Sequence, residues 1–311
     1  MENRLKFSGI IPANLLPFKR DYSIHEKDYR RHLNWLADVS GVTAIVLNGH
    51  AAEVASLSRA ERRRALATAL DEVGSRVPLI SGIYTDGTLE AVDLARDAKA
   101  EGASGLLIFP PTLFMWGARL RPEMAIRHFA IIAEAVDLPM VVFQYPPSQG
   151  IGYDADTLVK LTEIPQVVAV KEWSNDIVTF EENLRALRAT GRPVAILSSF
   201  STSLFASFVL GADGAISGMG SVTADIQVEL FERVQKGDLE GARKVNDRLY
   251  PLVRVFYRQP FVDMHNRMKE ALAILGRIDE AVVRPPLQPI SEDERQQIRQ
   301  ALIQADLMLA Q

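Results

Sequence analysis

The stretch Val167-Val168-Ala169-Val170, ended by Lys171-Glu172, has the form that decides the fold of the chain. Consecutive apolar positions that stop at charged residues are typical of a β-strand covered on both faces, as in a parallel sheet. Seven more short apolar runs occur, and an amphipathic helical pattern follows each of the eight. The predicted strands are residues 9–16, 43–47, 77–81, 105–109, 140–143, 167–170, 194–197 and 214–216. Eight βα units predict an α/β protein, a closed (β/α)8 TIM barrel.

The pattern changes near the C-terminus. After Gln235 the strands stop, residues 238–256 and 260–275 read as long helices, and a last helix begins at Ser291. We expect residues 1–236 to form the barrel and residues 237–311 to form a helical segment packed on it. Within the barrel, capping boxes at residues 23–26 and 58–61 predict the starts of two helices.

The composition argues against several classes of function. Lys+Arg 35 against Asp+Glu 39 gives a net charge of −4, so there is no global basic field to hold nucleic acid or anionic lipid. With Cys 0, disulfides, thiolate metal sites and cysteine nucleophiles are excluded. No apolar run approaches the ~18 residues of a membrane-spanning helix, and the N-terminus does not read as a signal peptide. We expect a cytoplasmic protein with no nucleic-acid or membrane partner.

Lys171 is the residue to which the sequence most readily assigns chemistry. The active site of a barrel lies at the C-terminal ends of its strands, and Lys171 follows one of them directly. An apolar strand behind the ammonium partly desolvates it, which favours the neutral amine that can attack a carbonyl. This position predicts Schiff-base catalysis. The alternative is that Lys171 only pairs with a carboxylate such as Glu172.

Five stretches of the sequence resemble the dihydrodipicolinate synthase / N-acetylneuraminate lyase family, whose members are Schiff-base-forming, class I aldolase-like (β/α)8 barrels. Four of these stretches are Leu16-Pro17-Phe18, Gly49-His50-Ala51-Ala52-Glu53 with Ser56-Leu57-Ser58, Pro78-Leu79-Ile80-Ser81-Gly82 with Thr88-Leu89-Glu90-Ala91, and Ile108-Phe109-Pro110-Pro111. The fifth is Val168-Ala169-Val170-Lys171-Glu172, in which Lys171 matches the family's Schiff-base lysine. The resemblance covers nearly the whole chain. It implies a lyase that condenses pyruvate or another 2-oxo acid with Lys171, uses no cofactor or metal, and forms a homotetramer or homodimer.

The resemblance also assigns the loop from Gly49 to Glu53 to the substrate carboxylate. The family usually carries two small hydroxyl residues where this chain has His50 and Ala51. Backbone N–H groups can still bind a carboxylate, so Gly49 and Ala51 are predicted to contact substrate. His50 titrates close to neutral pH and is either an acid–base catalyst or a hydrogen-bonded loop residue. Glu53 is expected to be a structural acceptor.

A second departure concerns the tyrosine with which the family relays protons to and from the imine. Counting back from Lys171 without gaps places Phe143 at that position, so the usual hydroxyl is missing. Tyr145 lies two residues on and would point to the same face of an extended strand. It either supplies the phenol from a shifted position, as a catalytic residue, or packs against Pro146-Pro147.

Further departures bear on the substrate. The synthases' second relay tyrosine aligns near Thr112, and the arginine that binds their aldehyde substrate's carboxylate aligns near Ser148. Dihydrodipicolinate synthesis proper is therefore only an alternative. We expect an aldolase or dehydratase acting on a 2-oxo-3-deoxy sugar acid. Neutral hydrogen bonds to its hydroxyls are expected from Thr112, Gln144, Ser198, Ser199 and Ser217, and Phe143 and Ile216 are also predicted to contact it.

Two rival functions are also compatible with the sequence. A metal-dependent enzyme on the same barrel would need several histidines or carboxylates at the strand ends. The chain offers His50, Glu53 and Glu172 there, without a second histidine. The other rival is a non-catalytic protein that still binds a 2-oxo acid on Lys171, which the missing relay tyrosine would explain.

Overall fold

The structure, a computed structural model, describes residues 5–309. Eight parallel strands pair in the order β1-β8-β7-β6-β5-β4-β3-β2. They are β1 (Gly9–Pro12), β2 (Ile45–Leu47), β3 (Leu79–Ile83), β4 (Gly105–Ile108), β5 (Met140–Gln144), β6 (Val167–Glu172), β7 (Ala195–Ser198) and β8 (Gly214–Ser217). Parallel bridges from Ile10 to Val42 and from Ala13 to Val46 join the two ends of this order. The sheet therefore closes, and the predicted (β/α)8 barrel is confirmed.

Helices alternate with the strands and cover the outside of the barrel. They are α1 (Glu26–Asp38), α2 (Arg59–Val73), α3 (Thr88–Glu101), α4 (Pro122–Ala135), α5 (Ala155–Leu161), α6 (Ile177–Ala189), α7 (Leu204–Val209) and α8 (Gly220–Gln235). The strands are buried at nearly every position because helices cover the outer face and strand side chains fill the inside. Within residues 5–309, none of the helices combines the length and apolar character needed to cross a membrane.

Three helices follow the barrel: α9 (Leu239–Phe256), α10 (Met264–Ile274) and α11 (Glu292–Gln304). Both α9 and α10 contact α8, and α11 packs on α9 and α10. The predicted helix over residues 260–275 is split, because a short 3₁₀ turn, Phe261–Asp263, precedes α10. This turn and the start of α10 lie at the C-terminal mouth of the barrel, beside Lys171.

The two predicted capping boxes have different outcomes. At the start of α2, Ser58 Oγ accepts from the Glu61 N–H at 3.2 Å and the Glu61 carboxylate accepts from the Ser58 N–H at 2.9 Å. That box is complete. The box at Ser23 is wrong, because His25 caps α1 and its Nδ1 accepts from the Asp28 N–H at 3.2 Å. An imidazole nitrogen here takes the place of the hydroxyl.

Candidate active site

Lys171 is the penultimate residue of β6, and its side chain enters the mouth of the barrel. Strand pairing sets it beside Phe143 of β5 and Leu197 of β7. The residue is 6% exposed, and its Nζ lies 3.8 Å from the centroid of the Phe143 ring. Burial lowers the pKa of the Lys171 ammonium to about 7. At neutral pH, Lys171 is therefore a neutral amine in roughly half of the protein molecules.

Lys171 does not pair with Glu172. Neighbouring side chains of a strand point to opposite faces, and the fully buried Glu172 carboxylate accepts from the Ser174 N–H at 3.2 Å and from Asn183 Nδ2 at 3.0 Å. Burial raises the pKa of that carboxyl to about 7. Among residues 5–309, no carboxylate forms an ion pair with Lys171, and burial alone accounts for its lowered pKa. The alternative in which Lys171 serves only as an ion-pair partner is wrong.

An inner cavity of about 40 Å³ lies over Lys171. It is lined by Ala13, His50, Ala51, Phe143, Lys171, Trp173, Ser199, Gly218, Tyr257, Met264 and His265. Five residues predicted from the sequence are among them: Lys171, His50, Ala51, Phe143 and Ser199. The structure thus brings the lysine, the loop after β2 and the end of β5 into one small space.

His50 and Tyr145 are in contact with each other at this mouth. The Tyr145 hydroxyl is in hydrogen-bond contact with His50 Nε2. Burial, together with the nearby Lys171, lowers the pKa of His50 to about 3, and burial raises the pKa of Tyr145 well above its usual range. Both groups are therefore uncharged at neutral pH, with the phenol donating and the imidazole accepting. Such a pair can pass a proton.

The loop after β2 also offers backbone donors. Gly49 precedes the 3₁₀ turn His50–Ala52, and its carbonyl accepts from the N–H groups of Ala52 at 3.1 Å and Val54 at 3.3 Å. Within the described residues, the N–H groups of His50 and Ala51 have no partner. Ala51 lines the inner cavity. Two adjacent free N–H groups beside a buried amine can hold a carboxylate.

Glu53 fastens this loop to the C-terminal segment. Its carboxylate pairs with the Lys269 ammonium and accepts from the Arg284 N–H at 2.9 Å. Lys269 also donates to the Val282 carbonyl at 2.9 Å, and both members of the ion pair are buried. Glu53 is therefore a structural acceptor, and its links hold the loop beside the start of α10.

Six predicted substrate contacts do not line this cavity: Gly49, Thr112, Gln144, Ser198, Ile216 and Ser217. Thr112 is exposed in a 3₁₀ turn after β4, and its N–H donates to Asp86 at 2.5 Å. Ile216 is fully buried in the core. The Ser217 hydroxyl is also fully buried and accepts from the Gly220 N–H at 3.2 Å. These three predictions are corrected, because Thr112 is exposed, Ile216 packs in the core and the Ser217 hydroxyl is already bonded within the protein.

His265 lines the inner cavity, and no signal at the strand ends pointed to it. It lies in the first turn of α10, and a Cβ at Gly218 would be 3.0 Å from its Nε2, so the glycine leaves room for the ring. Burial and the neighbouring His50 and Lys171 lower the pKa of His265 to about 3. The expectation that the site has no second histidine is wrong, because a helix outside the barrel supplies it.

A wider outer cavity of about 460 Å³ opens beyond the inner one. The two share His50, Trp173, Met264 and His265. The outer cavity is further lined by Glu53, Val54, Ala55, Ser56, Tyr145, Gln149, Phe261, Val262, Arg284, Pro285, Pro286 and Leu287. Within residues 5–309, the cluster of His, Asp and Glu side chains spaced to share a metal ion is His25, Asp28 and Asp279, and it includes no residue of either cavity.

Comparison with known proteins identifies one family for this chain. Residues 6–305 match the sequence model of the Dihydrodipicolinate synthetase family. The curated 4-hydroxy-tetrahydrodipicolinate synthase of Rhodopseudomonas palustris (strain BisA53) is 32% identical over 302 residues, which are 97% of this chain and 98% of that protein.

Two solved structures with bound pyruvate are also similar. One is a prophage protein of the dihydrodipicolinic acid synthase family from E. coli K12, with a TM-score of 0.89, 25% identity, and 97% of this chain and 99% of that chain covered. The other is the chloride-inhibited dihydrodipicolinate synthase from Acinetobacter baumannii, with a TM-score of 0.86, 26% identity, and 97% and 100% covered.

The family match includes every residue of the two cavities. The curated relatives carry the name of an enzyme, 4-hydroxy-tetrahydrodipicolinate synthase, and this chain is an enzyme of the lyase class. The protein belongs to the dihydrodipicolinate synthetase family.

Proposed function

We propose that the protein is a Schiff-base-forming lyase that acts on pyruvate or a longer 2-oxo acid through an imine on Lys171. One observation carries the proposal: Lys171 is buried, has no counter-charge among the described residues, and has a pKa of about 7. Only the neutral amine attacks a carbonyl carbon, and this site maintains it at neutral pH. The pyruvate complexes of two relatives support a pyruvyl group as the part of the substrate that reacts.

The carboxylate of the 2-oxo acid would bind to the free N–H groups of His50 and Ala51. Backbone donors suffice for this task, so the loss of the family's hydroxyl side chains at these positions does not remove the site. The bound carboxylate would also stabilise the positive iminium that forms beside it on Lys171.

The proposed chemistry runs from imine to enamine. Attack of Lys171 on the 2-oxo carbon expels water and leaves an iminium, which accepts the electron pair when a proton leaves the next carbon. The enamine then attacks an aldehyde carbon and makes a C–C bond, as in an aldolase, or expels a hydroxyl, as in a dehydratase. In the cleavage direction the iminium takes up the electrons of the breaking C–C bond, and the enamine is the product. Phe143 cannot carry a proton, so we assign proton transfer to Tyr145 with His50 as the acceptor behind it.

Borohydride trapping tests the proposal. The enzyme is incubated with pyruvate, reduced with NaBH4, digested, and analysed by peptide mass spectrometry. We expect an adduct on Lys171, and none in Lys171→Ala. Lys269 is an internal control in the same digest, because it is equally buried but paired with Glu53. Absence of any adduct with pyruvate and with longer 2-oxo acids would refute the imine and leave the metal-dependent alternative.

The expected sugar-acid substrate has weak support at this site. Its hydroxyls need free polar partners, but the Gln144 amide bonds both the N–H and the carbonyl of Tyr153 at 2.9 and 2.7 Å. Ser198 Oγ accepts from the Phe200 N–H at 3.2 Å. Of the polar residues expected to contact the substrate, only Ser199 lines a described cavity. The proposal is therefore a 2-oxo-acid lyase, with the sugar acid as one substrate to be tested.

We also propose that the chain forms a homodimer or homotetramer. The 3₁₀ turn after β4 exposes Leu113, Met115 and Trp116, with Trp116 86% exposed. A cluster of large apolar side chains at the surface is typical of an interface. The apolar stretch at residues 253–257 is less suited to an interface because Phe256 is fully buried. Light scattering during size-exclusion chromatography measures the mass, and Trp116→Glu is expected to lower it.

A further inference from the structure

The outer cavity has an aromatic wall directly beside the reactive lysine. Trp173 follows β6 two residues after Lys171, and its ring stacks on Phe261 with the centroids 6.1 Å apart and the planes 13° apart. The Tyr145 ring also meets the Trp173 ring edge-on, with the centroids 5.5 Å apart. Rings at these separations form a continuous apolar surface that also offers π-faces and edges to a further ring.

The rest of the outer wall is mainly apolar. Its remaining side chains include Val54, Val262, Met264, Pro285, Pro286 and Leu287. Val262 is 64% exposed at the mouth, where covering it would remove apolar surface from water. A ligand that covers this wall gains from an apolar surface of its own, whereas the hydroxyl groups of a sugar acid would meet mainly apolar side chains.

The charged groups of the outer cavity are already paired. Glu53 is held by Lys269. The Arg284 guanidinium pairs with Glu61 and donates to the carbonyls of Tyr22 at 2.9 Å and Ser56 at 2.8 Å. Within residues 5–309, the wall of this cavity therefore offers no unpaired cation to a second carboxylate. The histidines that line it are uncharged at neutral pH, because burial lowers the pKa of both His50 and His265 to about 3.

We propose that the substrate carries an uncharged aromatic group beyond its reacting carbons, and that the outer cavity binds this group against Trp173 and Phe261. The inference rests on the imine proposed for Lys171. Both cavities share His50, Trp173, Met264 and His265, so one molecule can reach from the amine to the aromatic wall. The substrate class is a 4-aryl-4-hydroxy-2-oxobutanoate, or the aryl aldehyde and pyruvate from which it forms.

The reaction balances without any further reagent. In the cleavage direction, the Lys171 iminium draws the electrons of the C3–C4 bond, the C4 hydroxyl loses its proton to the Tyr145–His50 pair, and the aryl aldehyde leaves. The enamine takes a proton at C3, and water hydrolyses the resulting imine to pyruvate. Condensation is the reverse sequence, and it uses the same residues.

The first test compares two substrates on the wild-type enzyme. We measure kcat/KM for cleavage of 4-hydroxy-4-phenyl-2-oxobutanoate and of a six-carbon 2-oxo-3-deoxy sugar acid. We expect the phenyl substrate to be preferred by about tenfold or more, the discrimination that an apolar pocket typically supplies. Equal values, or a preference for the sugar acid, would overturn the inference.

Variants of the wall form the second test. Phe261→Ala is expected to lower kcat/KM for the phenyl substrate about tenfold and to leave borohydride trapping of pyruvate unchanged. Val262→Asp places a charge at the mouth and should also lower kcat/KM for the phenyl substrate. Because Val262 is exposed, this change should not affect folding. Tyr250→Ala is the matched control, because Tyr250 is 57% exposed on α9 and lines neither cavity. If both wall variants behave like this control, the inference fails.

The same samples separate this inference from the proposal on which it rests. Trapping of pyruvate on Lys171 without any preference for the phenyl substrate would overturn the aromatic pocket and leave the imine standing. If nothing is trapped on Lys171, both fail together.

Discussion

Replacing Lys171 with methionine is predicted to stabilise the protein, and to do so by an amount that depends on pH. Burial lowers the pKa of this lysine from 10.5 to about 7. The folded protein therefore binds fewer protons than the unfolded chain between these two pH values, and its stability rises with pH across this window. At lower pH the cost of burying the lysine is fully present. Methionine is unbranched, apolar and of similar length, and removes that cost.

The magnitude follows from the pKa difference. Each unit corresponds to about 1.4 kcal/mol, so the buried lysine costs about 4 kcal/mol at pH 7 and about 2 kcal/mol at pH 9. Lys171→Met should thus increase the free energy of unfolding by about 2 kcal/mol more at pH 7 than at pH 9. Any gain in packing from the methionine is the same at both pH values and cancels in this comparison.

Urea unfolding of the wild type and the variant at pH 7 and pH 9 measures this difference, with all proteins at one concentration because self-association adds to stability. Lys160→Met makes the same chemical change at an exposed position of α5 and should have little effect at either pH. The reasoning is refuted if the gain from Lys171→Met is equal at the two pH values, or if the variant is less stable at both.

Three further variants test the surroundings of the lysine. Tyr145→Phe removes the hydroxyl that donates to the histidine of the loop, and should lower kcat about 100-fold while leaving pyruvate trapping intact; a parallel loss of trapping would argue against a proton-transfer role. Lys269→Met leaves Glu53 buried without its cation and should cost about 3–5 kcal/mol of stability in urea unfolding, whereas an unchanged midpoint would show that the link is dispensable. Gly218→Ala places a methyl group 3.0 Å from His265 Nε2 and is expected to displace that ring and raise KM. A KM equal to that of the wild type would show that the methyl group fits beside the ring.

The sequence predicts the barrel well because its signal is local. Each strand is buried on both faces, so an apolar run such as residues 167–170 marks it, although β6 itself continues through Lys171 to Glu172. The neighbours of the lysine follow from the same regularity. Parallel pairing sets Phe143, which counting along the sequence places at the family's relay-tyrosine position, directly beside Lys171.

The parts of the site that the sequence does not predict depend on contacts between distant segments. His265 reaches the cavity because α10 is held at the mouth by the link between Glu53 and Lys269, and no local pattern encodes that contact. Thr112 is the opposite case, a predicted contact that the structure does not bring to the cavity. Thr112 is expected at the site because it follows the fourth predicted strand, whereas the loop after β4 forms an exposed 3₁₀ turn whose first N–H donates to Asp86.

Exchange of the methyl protons of pyruvate in D2O tests the central claim most directly, because it requires the imine, the enamine and a proton relay but no second substrate. Proton NMR follows the methyl signal with the enzyme at neutral pH, with Lys171→Met as the control. The imine on Lys171 predicts loss of the signal with the wild type, a slower loss with Tyr145→Phe, and only the buffer rate with Lys171→Met. Exchange at the buffer rate with the wild type, or equally fast exchange without the lysine, would contradict it.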